Sequence, residues 1–244
     1  MLDGLYAAAA GMQAQQRRLD AIAHDIANVS TTGYKSLRVG FRDLLYQGVG
    51  RGARPGALTG AGAAAQVIGR DHAQGSLLRT ERPLDVAIVG PGYIRVRTRD
   101  GGTALTRDGS LALTRDGRLR TSTGELLDPP LRLPRGVGAD EVRIGPDVTV
   151  SARGRRLGRI ELVRVPNPDG LRPLGDSLLA ETAASGPARR AGGARLEQGA
   201  LEASNVDLAD AMVELTEAQR GYQLASRAIQ MQDEILAVAN GIKR

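Results

Sequence analysis

Apolar residues recur at every seventh position near both ends of the chain. Leu5, Met12, Leu19 and Ile26 form one row, and Ala8, Gln15, Ile22 and Val29 form a second row three residues later. The other end repeats the design with Leu208, Leu215, Tyr222, Ile229 and Leu236. Ala211, Ala218, Ala225, Gln232 and Ala239 follow three behind. Two such rows are the a/d seam of a helix that pairs along one face. The first helix is expected to stop at residues 28–33, "NVSTTG". Val29, Thr31 and Thr32 are weak helix formers there, and Gly33 accommodates a left-handed cap. Ser204 or Asn205 is the expected cap of the second helix, with Asp207 and Asp210 near its positive end. Leu37, Phe41, Leu44 and Leu45 share a helical face, which predicts a short further helix despite Gly40.

Between the ends the pattern changes period. Residues 47–66 are rich in Gly, Ala and Arg and show no period, as in an extended connector. "PLDVAIVGPGYIRVRTR" alternates β-branched and polar residues around a Gly-Pro-Gly turn. Asp108-Gly109 and Asp116-Gly117 read as two successive hairpin turns, with positive φ at both positions of each. "EVRIG", "VTVSA", "RIELVRV" and "SLLAE" supply further strands. The expected fold class is therefore α+β: long N- and C-terminal helices forming a coiled-coil-like rod domain, with a central antiparallel β domain. The divisions are a helical rod segment at 1–46, an extended Gly/Ala/Arg-rich connector at 47–76, the β domain at 77–182, a return linker at 183–203 and the C-terminal helix at 204–244. Burial and hydrogen bonding roughly balance conformational entropy for such a helix pair alone. The terminal helices are thus expected to become ordered on assembly.

Composition narrows the chemistry. Among 244 residues there is no Cys and no Trp, and only one Phe. Disulfides, thiol catalysis and Cys-based metal sites are excluded. No apolar run approaches the ~20 residues of a membrane span, and the N-terminus lacks the order of charge and apolar residues of a signal peptide. The net charge of +6 comes almost entirely from Arg spread along the chain. With so few aromatics for stacking, no nucleic-acid partner is expected. His24 and His72 are the only histidines, and neither has a second histidine at metal-ligand spacing. Asp108 and Asp116 are better read as turn residues than as a catalytic carboxylate pair. Neither a GxSxG elbow nor a phosphate loop is present. No catalytic residue, cofactor site or metal site is expected, and the chain does not read as an enzyme.

"LYAAAAGMQAQQRRLDAIAHDIANVSTTGYKS" resembles the N-terminal signature of the flagellar basal-body rod and hook axial proteins. Its core here includes Asn28, Thr31, Gly33, Tyr34 and Lys35. "LEQGALEASNVDLADAMVELTEAQRGYQLASRAIQMQDEIL", with Ser204, Asn205 and Val206, is similar to the C-terminal signature. "DHAQGSLLRTERPLDVAIVGPGYIRV" looks like the middle motif of the family. The stretches at 121–134 and 142–171 look most like distal-rod members, with proximal-rod members as the alternative.

The resemblance implies a structural subunit of the bacterial flagellum that builds a helical homopolymer through its terminal helices and transmits torque. The implied partners are further copies, neighbouring rod and hook proteins, and the flagellar type III export apparatus, which such chains cross without a cleaved signal. It implies a place in the basal-body rod and no membrane insertion. The seam expected to carry assembly is Leu5, Met12, Leu19, Ile26, Leu208, Leu215, Tyr222, Ile229 and Leu236. The competing class is a basic coiled-coil module that binds nucleic acid or an anionic surface. A steep salt dependence would distinguish it.

Overall fold

A computed structural model describes residues 2–44, 46–48, 58–60 and 62–241 of the chain. Leu45 and the connector residues 49–57 lie outside the described residues, as do the side chains of Leu236 and Ala239. The chain forms two compact units. One comprises Met1–Ala27, Leu37–Gly69 and Asp207–Arg244; the other comprises Asn28–Ser36 and Arg70–Val206.

The first unit holds helix α1, Leu2–Ala27, and helix α2, Leu208–Gly241. They run antiparallel: Gly4 faces the Gln232 side chain, Gln15 lies against Gly221, and Arg18 lies 3.6 Å from Glu217. The buried apolar positions of the two helices are few, namely Ala14, Ala21, Ile22 and Ala218. A Cβ on Gly221 would come within 3.0 Å of the Gln15 side chain, so the absence of a side chain there lets the helices approach. Beside them the strand Leu37–Asp43 pairs with Ala63–Arg70. The Arg17 guanidinium donates to the carbonyl of the buried Ala65 at 2.9 Å, and the Leu37 N–H donates to Asp25 at 3.0 Å.

Two expectations are corrected here. The chain is mostly β with one helix near each end, and among the described residues no coiled-coil-like rod domain forms. A coiled coil buries both seam rows as knobs in holes, but Leu5, Met12, Leu19, Ile26, Leu215, Tyr222 and Ile229 are only half-buried and Leu208 is exposed. Instead, closest packing falls on Ala14 and Ala21, which lie in neither row, and on Ile22 and Ala218 of the second rows. The expected short helix over residues 37–45 is also a strand as far as Asp43. Val39 and Phe41 suit a strand, and Ile68 packs over Gly40, where a Cβ would lie 2.7 Å from it.

The second unit is antiparallel β. Its largest sheet runs Arg172–Gly175, Leu178–Ala180, Thr103–Thr106, Tyr93–Arg97, Leu126–Leu127, Leu119–Thr121, Leu111–Leu113. Tyr93–Arg97 also pairs with Leu162–Arg164, which in turn takes Arg189–Arg190. A separate meander joins Val142–Ile144, Thr149–Ala152 and Arg155–Arg159. Strand alternation sends successive residues to opposite faces. Ile94, Val96, Ala104 and Leu162 enter the larger core, while Tyr93, Leu105 and Val163 enter a smaller one behind the sheet. Late strands close the unit onto early ones: Arg195–Gln198 pairs with Val86–Val89, and Ala200–Glu202 with Leu77–Arg79.

The two Asp-Gly pairs separate. Asp116-Gly117 turns a hairpin, with the Gly117 N–H on Thr114 O at 2.9 Å and Gly117 at φ +74°. Only the glycine takes positive φ, which corrects the expectation that both positions would. Asp108-Gly109 is buried. A Cβ on Gly109 would lie 1.6 Å from Val86 O, so the glycine permits a backbone contact rather than a hairpin.

Candidate functional site

The signature residues of the two ends come together inside the β unit. After α1 ends at Ala27, Asn28 and Thr31 form a turn, with the Thr31 N–H on Asn28 O at 3.0 Å and the Thr31 hydroxyl on Asn28 Oδ1 at 3.1 Å. Gly33 does not cap the helix as expected. It stands six residues on at φ +65°, donates its N–H to Glu202 O at 2.8 Å, and lies so close to Arg107 that a Cβ would sit 2.7 Å from its carbonyl carbon. Tyr34 is buried, with the Arg70 guanidinium 5.5 Å above its ring, a cation–π contact. Its carbonyl accepts the Asn205 N–H at 3.4 Å.

Asn205 stitches three segments together. Its Oδ1 accepts the Ser36 N–H at 2.8 Å and its Nδ2 donates to Asp71 O at 2.9 Å, while the Asp71 N–H donates to Ser36 O at 2.8 Å. The Ser204 hydroxyl accepts the Val206 N–H at 3.2 Å. Neither Ser204 nor Asn205 caps α2. That position belongs to Asp207, whose Oδ1 accepts from Ala209 at 2.8 Å and Asp210 at 3.2 Å. One carboxylate there satisfies two otherwise orphaned N–H groups.

Behind this stitching lies a buried charge cluster. Glu202 Oε1 accepts from Lys35 Nζ at 2.5 Å and from the Gly75 N–H at 3.0 Å, and Oε2 accepts from Arg107 Nε at 2.6 Å. Lys35 also donates to Ala73 O at 2.5 Å, and Arg107 to Gly92 O at 3.0 Å and Gly90 O at 3.1 Å. All three side chains are almost wholly out of solvent. Burial holds the Lys35 ammonium below its ordinary pKa, with the Glu202 partner opposing that shift. Buried charges persist when hydrogen-bonded and paired, and every polar arm here reaches a chain segment from a different part of the sequence. Next to it, Asp108 accepts from Thr32 at 2.9 Å, Ser110 at 3.0 Å and Ser122 at 2.9 Å. His72 Nδ1 lies 3.0 Å from the Tyr93 hydroxyl and Nε2 lies 3.6 Å from Asp169. Burial pushes His72 down and raises Tyr93 to about 12.

Sealed from solvent, the cluster can hold chain segments but presents no face to a substrate. Glu202 and Arg107, its centre, have no local signal: each reads as one more charge in a charge-rich strand or loop. Among the described residues no three His, Cys, Asp or Glu are placed to hold a metal ion, and no helix is long and apolar enough to cross a membrane.

In the unit of the two helices, α2 has two apolar sides. Leu215, Ala218, Tyr222 and Ile229 lie toward α1. Leu224, Met231, Ile235 and Val238, at spacings of seven, four and three, lie on roughly the opposite side. All four are more than half exposed.

Family profiles match along the chain. The one described as flagella basal body rod protein covers residues 5–35, the flagellar hook protein FlgE/F/G D1 domain covers 87–152, and the flagellar basal body rod FlgEFG protein C-terminal region covers 197–242. The chain is 38% identical over 265 residues to the flagellar basal-body rod protein FlgG of Borreliella burgdorferi, covering all of both chains. It is 38% identical over 267 residues to FlgG of Bacillus subtilis, again covering all of both. Against FlgG of Agrobacterium fabrum it is 36% identical over 255 residues, 96% of each.

Proposed function

This chain belongs to the flagellar basal-body rod protein family and is a structural subunit of the distal-rod type, and from that premise we propose that it polymerises through its terminal helices to transmit torque from motor to hook. The role is mechanical rather than catalytic. Its partners are further copies in a helical homopolymer, the adjoining rod and hook proteins, and the flagellar type III export apparatus.

The observation that supports this reading most is the outward stripe Leu224, Met231, Ile235 and Val238. A helix that has packed one side on its partner gains nothing from a second apolar side in water. Burying each such side chain against a neighbour contributes roughly 1.5–3 kcal/mol. Half-buried Leu5, Met12, Leu19, Ile26, Leu215, Tyr222 and Ile229, with exposed Leu208, have surface left to bury in the same assembly. Leu236 belongs to the same row. Helices packed laterally on identical neighbours resist twist.

Sedimentation and electron microscopy of the purified chain test the reading. Ile235→Asp and Leu224→Asp are expected to leave the β unit folded and abolish polymer, and cells carrying either variant are expected to lose motility. Normal polymer and normal motility in both would refute it.

A further inference from the structure

A second surface carries charge that the single molecule leaves unrelieved. A cavity of about 590 Å³ in the β unit lies between residues 113–117 and 132–137 and is lined by Arg115, Arg132 and Arg135, with Asp116. An isolated antiparallel bridge sets Arg118 directly opposite Arg132. Like charges placed so are destabilising unless something neutralises them. Arg132 Nε donates to Asp116 O at 3.3 Å, and Arg118 lies 4.0 Å from the Asp116 carboxylate. Arg115 and Arg135 make no hydrogen bond or ion pair among the described residues. Of the four arginines only Arg118 comes within 4.0 Å of the Asp116 carboxylate, and the donor forks of Arg115 and Arg135 are unspent. An arginine fork is shaped for a carboxylate.

The start of α2 has the opposite surplus. Asp210, Glu214 and Glu217 stand at i, i+4 and i+7, so one helical face carries all three, and all are exposed. Glu217 lies 3.6 Å from Arg18, whereas Asp210 and Glu214 have no ion pair among the described residues. The helix dipole accounts for Asp210 in the first turn, but its effect fades within that turn. With Glu217 paired to Arg18, it leaves Glu214 unexplained.

We propose that the arginine cavity of one subunit receives the acidic first turns of α2 from a neighbouring copy. The occupant is a second copy because the same chain carries both charge surpluses, of opposite sign. The contact joins two different surfaces, and a heterologous contact of that kind propagates into a filament rather than closing a dimer. The proposal rests on the polymerisation reading and adds an electrostatic contact distinct from the apolar stripe.

Two charge-reversed forms of the full chain test it. Arg115→Glu with Arg135→Glu changes side chains that hold nothing within the molecule. Asp210→Arg with Glu214→Arg reverses the other surface. Each form alone is expected to need at least tenfold more protein to polymerise, with the thermal unfolding of the β unit unchanged. An equimolar mixture is expected to assemble near the wild-type concentration, because each form then meets its complement. Assembly of both single forms at the wild-type concentration overturns the proposal, and so does a mixture that stays unassembled while both forms are folded. A wild-type chain that forms no polymer overturns the polymerisation reading itself, and the proposal with it.

Discussion

Lys35 and Glu202, 167 positions apart in the chain, meet at 2.5 Å inside the β unit, with both side chains almost completely hidden from solvent. Removing one partner of such a pair leaves an uncompensated buried charge and costs roughly 3–5 kcal/mol. Glu202→Gln is expected to destabilise by about that much, because it strands Lys35 and Arg107 together. Urea denaturation of the β-unit signal measures it. A loss below about 1 kcal/mol would mean that water or another carboxylate reaches the cluster.

Gly33 and Gly154 both have positive φ, but they differ in surroundings. A Cβ at Gly33 meets Arg107 backbone at 2.7 Å, and one at Gly154 meets nothing within 4 Å. Backbone strain alone costs about 1 kcal/mol or a little more. Gly154→Ala should show that cost and no more. Gly33→Ala should cost at least twice as much, since rigid backbone must move. Equal midpoints in denaturant for the two variants would contradict the close approach.

His72 supplies a pH dependence. Burial lowers its pKa from the ordinary 6.5, so the folded protein binds this proton less readily than the unfolded chain. By linkage its contribution to stability is intact above about pH 6.5 and is lost as pH falls from there toward the lowered folded value. His72→Gln should therefore narrow the stability difference between pH 7.5 and pH 5.5, relative to the parent. An unchanged difference would show that the ring titrates freely.

Asp207, rather than Ser204, closes the first turn of α2. Asp207→Ala should cost about 1 kcal/mol, within the usual range for a lost N-cap, and should speed amide exchange at Ala209 and Asp210. Ser204→Ala should leave exchange at those two amides unchanged. The reverse ranking would reassign the cap.

Much of the fold is a matter of near neighbours, and that much the sequence by itself determined. The 3.6 and 2.0 periods mark α1, α2 and the β middle, because a helix or strand face repeats within a few residues. Asn28 and Thr31 end α1 through contacts three residues long, and Gly117 turns its hairpin for the same local reason. The signature residues from Asn28 to Lys35 and from Ser204 to Val206 are recognisable as sequence, but not as one place in space. Tertiary structure alone decided that residues 37–43 are a strand, since their partner begins at Ala63. It also gave two identical Asp-Gly pairs different roles, one a surface turn and one a buried acceptor of Thr32, Ser110 and Ser122. The heptad rows identified helices that pair, yet Ala14, Ala21 and Ala218 took the closest packing, because interhelical distance is set by both partners and not by either period. Glu202 shows the limit most clearly. The stability of a buried carboxylate depends on the cations around it, and Lys35 and Arg107 reach it only after the chain has folded back on itself.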